Sequence, residues 1–168
     1  MDNRALTKWM TRLVVVIVLV LLVYHMPRTY EIDEVLEATQ RSLDNPEAAS
    51  TVQVTIQGIY STHWFADDTF EGNIQLDTYP IIGGTPDTIT FYSAQGGYGS
   101  LDYRSSESTI DFLGYLKMSP GAASFILCVF EETDDSESKK WSTIDGTIIV
   151  YPNRPLDELR DQLYTGSP

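Results

Sequence analysis

The chain is poor in the residues from which many proteins build their chemistry. Among its 168 residues there is one cysteine, Cys128, and there are two histidines, His25 and His63. A single cysteine excludes an intramolecular disulfide framework and any zinc site of clustered thiolates. Two histidines leave little for metal binding or for proton transfer near neutral pH. Basic residues are scarce as well: 11 Lys+Arg stand against 24 Asp+Glu, for a formal net charge of −13 and a sequence pI near 4.3. Proteins that bind nucleic-acid backbones gain affinity as Lys and Arg displace phosphate counterions, so no nucleic-acid partner is expected. Apolar residues are not lacking. They make up 42% of the chain and are patterned, which excludes a disordered polymer, and the length suits one domain.

Long apolar runs are absent but for one. Leu13 to Tyr24 (LVVVIVLVLLVY) is uninterrupted and follows Arg4, Lys8 and Arg12; no soluble surface helix is apolar on every side. At ~1.5 Å per residue the run alone covers about 18 Å of a roughly 30 Å hydrocarbon layer, the length of a signal-peptide core. The residues that follow, Tyr24-His25-Met26-Pro27-Arg28-Thr29, hold no pair of small residues for a signal peptidase. No cysteine stands nearby to carry a lipid. Trp9 and Tyr24 suit the two interfaces and Arg12 can extend its long side chain to the headgroups. Trp9 to Met26 amounts to about 27 Å of helix, enough for a thin bilayer. An uncleaved signal-anchor over residues 9–27 is therefore expected, ahead of a cleaved signal peptide or a buried soluble helix, with the bilayer as partner. The basic start, residues 1–8, stays in the cytoplasm, which puts residues 28–168 outside as a single-pass protein of the cell membrane. That exterior part carries 8 Lys+Arg and 23 Asp+Glu, a net −15. An anionic leaflet repels it, so a stand-off is expected.

A short helical stalk over residues 28–47 is expected next. Ile32, Val35, Leu36 and Leu43 form one thin stripe from Thr29 to Asn45, acids occupy the first turn, and Asn45-Pro46 is a stop. From Thr51 the period becomes two. Val52, Val54, Ile56, Gly58 and Tyr60 alternate with polar residues, as do Phe70, Gly72, Ile74 and Leu76, which describes strands with one wet face. Further strands are expected at Thr88–Tyr92, Tyr98–Tyr103, Phe112–Met118, Ala123–Glu131 and Ile144–Tyr151, separated by Gly- and Pro-rich turns. The fold class is thus mainly β. Residues 48–168 are expected as a curled antiparallel seven-strand meander or partly closed barrel with a C-terminal helix, preceded by the transmembrane helix and the stalk. Gly72, Gly114 and Gly146 stand in phase with apolar neighbours, which predicts a bend, a bulge or a close approach. Phe125 to Phe130 has no polar alternate and must be covered on both faces. The cover is the C-terminal helix, with Asn153 as cap, Pro155 in the first turn and Leu156, Leu159 and Leu163 on one stripe. Cys128 then becomes a small buried apolar residue.

The motifs F-x-G-x-I (Phe70 to Ile74), G-x-G-x-L-x-Y (Gly97 to Tyr103), L-G-x-L (Leu113 to Leu116), W-x4-G-x-I-I (Trp141 to Ile149) and P-N-R (Pro152 to Arg154) occur in succession. In this the chain resembles a group of small membrane-anchored proteins of Gram-positive bacteria, with one hydrophobic segment and an exported β-rich domain. The likeness covers residues 52–164. Where the group tends to have small residues after the proline and an alanine in the helix, this chain has Asn153, Pro155 and Leu159. The resemblance implies location and topology and carries over no catalytic residue.

No residue is assigned to catalysis, to a cofactor or to a metal. The best hydrolase candidate is His63, set in Ser61-Thr62-His63-Trp64 with Asp67 and Asp68 after it, but no nucleophile elbow accompanies it. A loop whose Trp64 or Phe65 folds over the sheet edge explains the same residues. Glu131 to Glu137 offers hard oxygen ligands without the spacing of a calcium loop. Gly96-Gly97-Tyr98-Gly99 precedes a strand and so is a hairpin turn, not a phosphate loop. Ten Tyr, six Phe and three Trp fill a core or line a ligand cavity. The leading expectation is a non-enzymatic interaction or structural module. A binding domain for a small lipophilic or peptide ligand comes second and a hydrolase using His63 third.

Overall fold

A computed structural model of the chain describes residues 3–79, 85–86, 88–104, 110–130 and 141–163. It opens with one helix, α1 (Asn3–His25), whose side chains at residues 8–21 are all exposed. Among the described residues no helix is long and apolar enough to cross a membrane.

Nine strands follow: β1 (Arg28–Ser42), β2 (Ser50–Thr62), β3 (Asp68–Leu76), β4 (Thr85–Pro86), β5 (Ile89–Phe91), β6 (Gly99–Arg104), β7 (Ile110–Met118), β8 (Phe125–Val129) and β9 (Thr147–Tyr151). They form one sheet in the order β4-β6-β7-β8-β9-β1-β2-β3-β5, and every pairing is antiparallel. The sheet curls until its margins meet, where the Tyr92 amide donates to the Tyr98 carbonyl at 3.1 Å. The result is a nearly closed barrel with a short C-terminal helix, α2 (Leu156–Arg160), outside it.

Two expectations need correction here. Residues 28–47 are not a helical stalk, because β1 runs through them and faces β2 continuously from Arg28↔Thr62 to Gln40↔Ser50. A lone amphipathic helix of this length is marginal in water, whereas the strand gains a full ladder and buries Ile32 and Ala38 among the core side chains. Seven strands become nine, through β1 and the two-residue β4. The seven expected strands do succeed one another as a meander, β2-β3-β5 and β6-β7-β8-β9 pairing in turn, while β4 pairs with β6 and β1 lies between β2 and β9.

The interior is packed. Val54, Ile56, Phe70, Leu101, Leu127 and Ile149 are among the residues that fill it, each no more than 2% exposed. As expected, β8 is covered on both faces. Phe125, Leu127 and Val129 point into the barrel, while Ile126 and Cys128 join Ile148 and Val150 in a second cluster under Leu159 and Leu163. Asn153 does not cap α2. Pro155 stands at that position without a side-chain bond, and Asn153 Oδ1 instead accepts a hydrogen bond from Nη2 of the buried Arg41.

The glycines mark close approaches of chain to chain. Gly58 and Gly72 face each other across β2 and β3. A Cβ on Gly72 would lie 2.5 Å from the Gly58 Cα and 2.9 Å from Phe70 Cζ, besides meeting the Gln57 carbonyl. Phe70 thus lays its ring over the pair, as the phase of Gly72 in its strand suggested. Next to Gly114 the register slips between Leu101 and Asp102, which leaves Leu113 as the extra residue of a bulge in β7. Gly146 lies in the turn before β9, not in a strand as expected; its amide donates to the Ser142 carbonyl at 3.0 Å. Replacing Gly72 by Ala forces the two strands apart in a filled core, and a loss of about 3 kcal/mol is expected from the urea unfolding midpoint.

Candidate functional site

The antiparallel register gathers four chain segments at one end of the barrel. Arg28, which opens β1, faces Thr62 at the end of β2, and Asp68, which opens β3, faces Phe91 at the end of β5. The β2–β3 loop is held there by its acids. Asp68 Oδ1 accepts from the His63 backbone amide at 2.9 Å. Asp67 Oδ1 accepts from both the amide and the hydroxyl of Ser93, each at 2.8 Å, and so ties the loop to the β5–β6 turn. Gly96 and Gly97 in that turn have φ of 71° and 81°, which confirms a hairpin turn at the glycine-rich motif.

These segments surround a cleft of about 640 Å³, lined by His63, Trp64, Phe65, Asp67, Lys117 and Pro120 among others. Its floor is Tyr60, stacked on Phe91 at 5.3 Å between ring centroids. The Tyr60 hydroxyl lies 3.1 Å from Asp68 Oδ2 and 3.2 Å from the Met118 carbonyl, and donates toward these two acceptors. Burial, reinforced by the negative charge of Asp68 and its hydrogen bond, pushes the Tyr60 phenol well above its usual 10.0. Burial alone does the same to Tyr103, whose hydroxyl donates to the Ile74 carbonyl. The two Ser93 hydrogen bonds hold the Asp67 carboxyl below its usual 3.8. Lys117 Nζ sits 5.6 Å above the Tyr98 ring, and the Arg28 guanidinium lies 5.4 Å above the Trp64 ring.

The sequence-predicted triad does not assemble. Asp68 binds the backbone of His63 rather than its imidazole, Asp67 is committed to Ser93, and His63 Nδ1 is buried without a hydrogen-bond partner. The acids organise a loop instead. Trp64 and Phe65 are 53% and 68% exposed at the rim of the cleft. Sequence reasoning missed the contributions of Arg28 and Lys117, which come from distant segments and carry no common motif. Among the described residues no three of His, Cys, Asp and Glu converge as a metal site; the run Glu131–Glu137 and the neighbouring Lys139 and Lys140 lie outside the described residues. Cys128 is fully buried in the outer cluster. Compared with protein-family models, with curated proteins and with solved structures, the chain finds no match.

The buried phenols give a pH dependence whose sign is fixed. A phenol whose ionisation is raised by folding contributes stability that is complete below the unfolded value of 10.0 and declines as pH rises beyond it. Urea midpoints of the natural chain should therefore fall above about pH 10, and Tyr60→Phe should flatten part of that fall. Below that pH the same variant should lose about 1–3 kcal/mol, because the buried Met118 carbonyl loses its donor.

Proposed function

We propose that the chain is a single-pass membrane protein whose acidic β-barrel, residues 28–168, lies outside the cytoplasm and acts as a non-enzymatic interaction module. The observation that carries this reading is α1. Leu13 to Leu21 are between 45% and 60% exposed, so the most apolar segment of the chain lacks a protein cover, and water is a poor one. Within α1, residues 9–25 cover about 25 Å at the usual rise, enough for a thin bilayer. Arg4, Lys8 and Arg12 at its start favour a cytoplasmic N-terminus. Membership of the group of anchored Gram-positive proteins that the motifs resemble belongs to the same proposal. In intact cells, a membrane-impermeant amine reagent should label Lys117, Lys139 and Lys140 and spare Lys8, read by peptide mass spectrometry. Labelling of Lys8 with protection of the other three would reverse the topology.

A second reading is favoured by the cleft. Its volume of about 640 Å³ falls in the range of small-ligand sites, and it combines aromatic walls with Lys117, Asp67 and the unpartnered His63 Nδ1. An amphiphile with a polar head suits that lining. Native mass spectrometry of the full chain extracted from its membrane should retain an adduct that is lost in Phe65→Asp. Absence of any adduct, with no thermal shift on adding a total lipid extract, would remove this reading.

A further inference from the structure

We infer that the cleft end of the barrel rests on the bilayer surface, with Trp64 and Phe65 inserted among the lipid headgroups. This rests on the proposed anchoring of α1 and goes beyond it, since an anchored domain can equally stand clear of its membrane. The acidic charge of the exterior part favours a stand-off, but the segment expected as a stalk to hold it away is the strand β1. Only Met26 and Pro27 separate α1, which ends at His25, from β1, which begins at Arg28. Three steps of about 3.8 Å let Arg28 lie no more than about 11 Å from the helix end. The headgroup region itself is roughly 6 Å deep on each side of the hydrocarbon. Arg28 in turn lies against Trp64. The rim that holds Trp64 is therefore tied to the depth at which the helix leaves the membrane.

The composition of that rim fits the place. Tyr30, Trp64, Phe65 and Tyr92 are 39%, 53%, 68% and 45% exposed. All four belong to the barrel end defined by Arg28↔Thr62 and Asp68↔Phe91. Of the other large apolar side chains exposed on the described barrel, Ile59 lies opposite Glu31, one step from Tyr30, and Val35 lies further along β1. Aromatic rings with polar edges are the side chains that interfacial layers favour. Charge agrees as well. Arg28 and Lys117 put two cations at the rim of a chain whose net charge is −13, and lipid phosphates attract them. Of the carboxylates at this end, the two that line the cleft are engaged, Asp67 by Ser93 and Asp68 by Tyr60 and the His63 amide, while Glu31 beside Tyr30 is exposed.

The test uses the full chain in vesicles of phosphatidylglycerol and phosphatidylcholine in equal parts, the latter brominated near the carbonyl end of its acyl chains. The emission of Trp64 is the difference between the natural chain and Trp64→Phe; that of Trp9 is obtained in the same way from Trp9→Phe. Trp64 is half-exposed, so its replacement leaves the packed interior untouched, and quenching of the unaltered chain by aqueous acrylamide gives an independent reading. The expected result is flotation with the vesicles, loss of both Trp9 and Trp64 emission to bromine, and protection of Trp64 from acrylamide. Loss of Trp9 emission alone, with Trp64 bright and open to acrylamide, would overturn the inference and leave the anchor standing. A chain that does not float with the vesicles would remove both.

Discussion

The barrel depends on the pairing of its first strand. β1 is the longest element of the sheet, 15 residues, and it joins β2, its neighbour in the chain, to β9 near the chain's end. Along most of its length it pairs with β2, and at its end Thr39 to Ser42 pair with β9, from Thr39↔Val150 to Ser42↔Thr147. Without these two ladders the barrel opens between β2 and β9. Each of these two strands would then carry an open edge. The two faces of β1 are used differently along its length. Ile32, Leu36 and Ala38 turn toward the barrel interior, while Arg41 and Leu43 near the C-terminal end lie on the outer side. The strand therefore fastens the interior core to the outer cluster.

That outer cluster explains why a short helix suffices. α2 has only five residues, too few to persist alone, yet Leu159 is fully buried and Leu163 nearly so. Their partners, Ile126, Cys128, Ile148 and Val150, project from the two strands that lack polar alternates. Tyr98 adds a tie from the far side of the barrel, its hydroxyl donating to the Gln162 carbonyl at 2.6 Å. Burial on both faces makes β8 and β9 the most deeply enclosed strands. The cleft end is built from turns and loops that hydrogen-bond to one another. The cleft end is thus where large aromatic side chains reach the surface.

The parts that local pattern dictates were legible in the sequence. Phe125 to Phe130 announced its double cover because no polar residue interrupts it, and the Leu159 and Leu163 stripe announced what covers it. The Gly72 contact with Phe70 followed from a glycine placed where an apolar side chain belonged. β1 was not legible, for a physical reason. Ile32, Val35 and Leu36 have helical spacing, and four acids near the start imitate a first helical turn. What makes the segment a strand is an edge offered by β2 and another by β9, and the latter lies more than a hundred residues away in the chain. The rim was hidden for the same reason. Trp64 and Phe65 were visible as a loop, but Arg28 reaches Trp64, and Lys117 the same cleft, only through the register of distant strands. His63 drew attention by its neighbours in sequence, and those neighbours turn out to be loop-builders.

Reading β1 as a strand changes the relation of the barrel to its helix. A stalk would hold an acidic domain away from a charged surface, whereas a strand that begins three residues after the helix ends leaves no such distance. The short link and the nearness of the aromatic rim to the helix end both follow from this one element. The most direct measurement is therefore the set of NMR contacts made by the Cα and amide protons of residues 29–45 in the full chain in membrane mimetic. The account predicts cross-strand contacts in the register Leu36–Val54 and Thr39–Val150. Contacts between residues three and four apart along this segment, with none to β2 or β9, would contradict it.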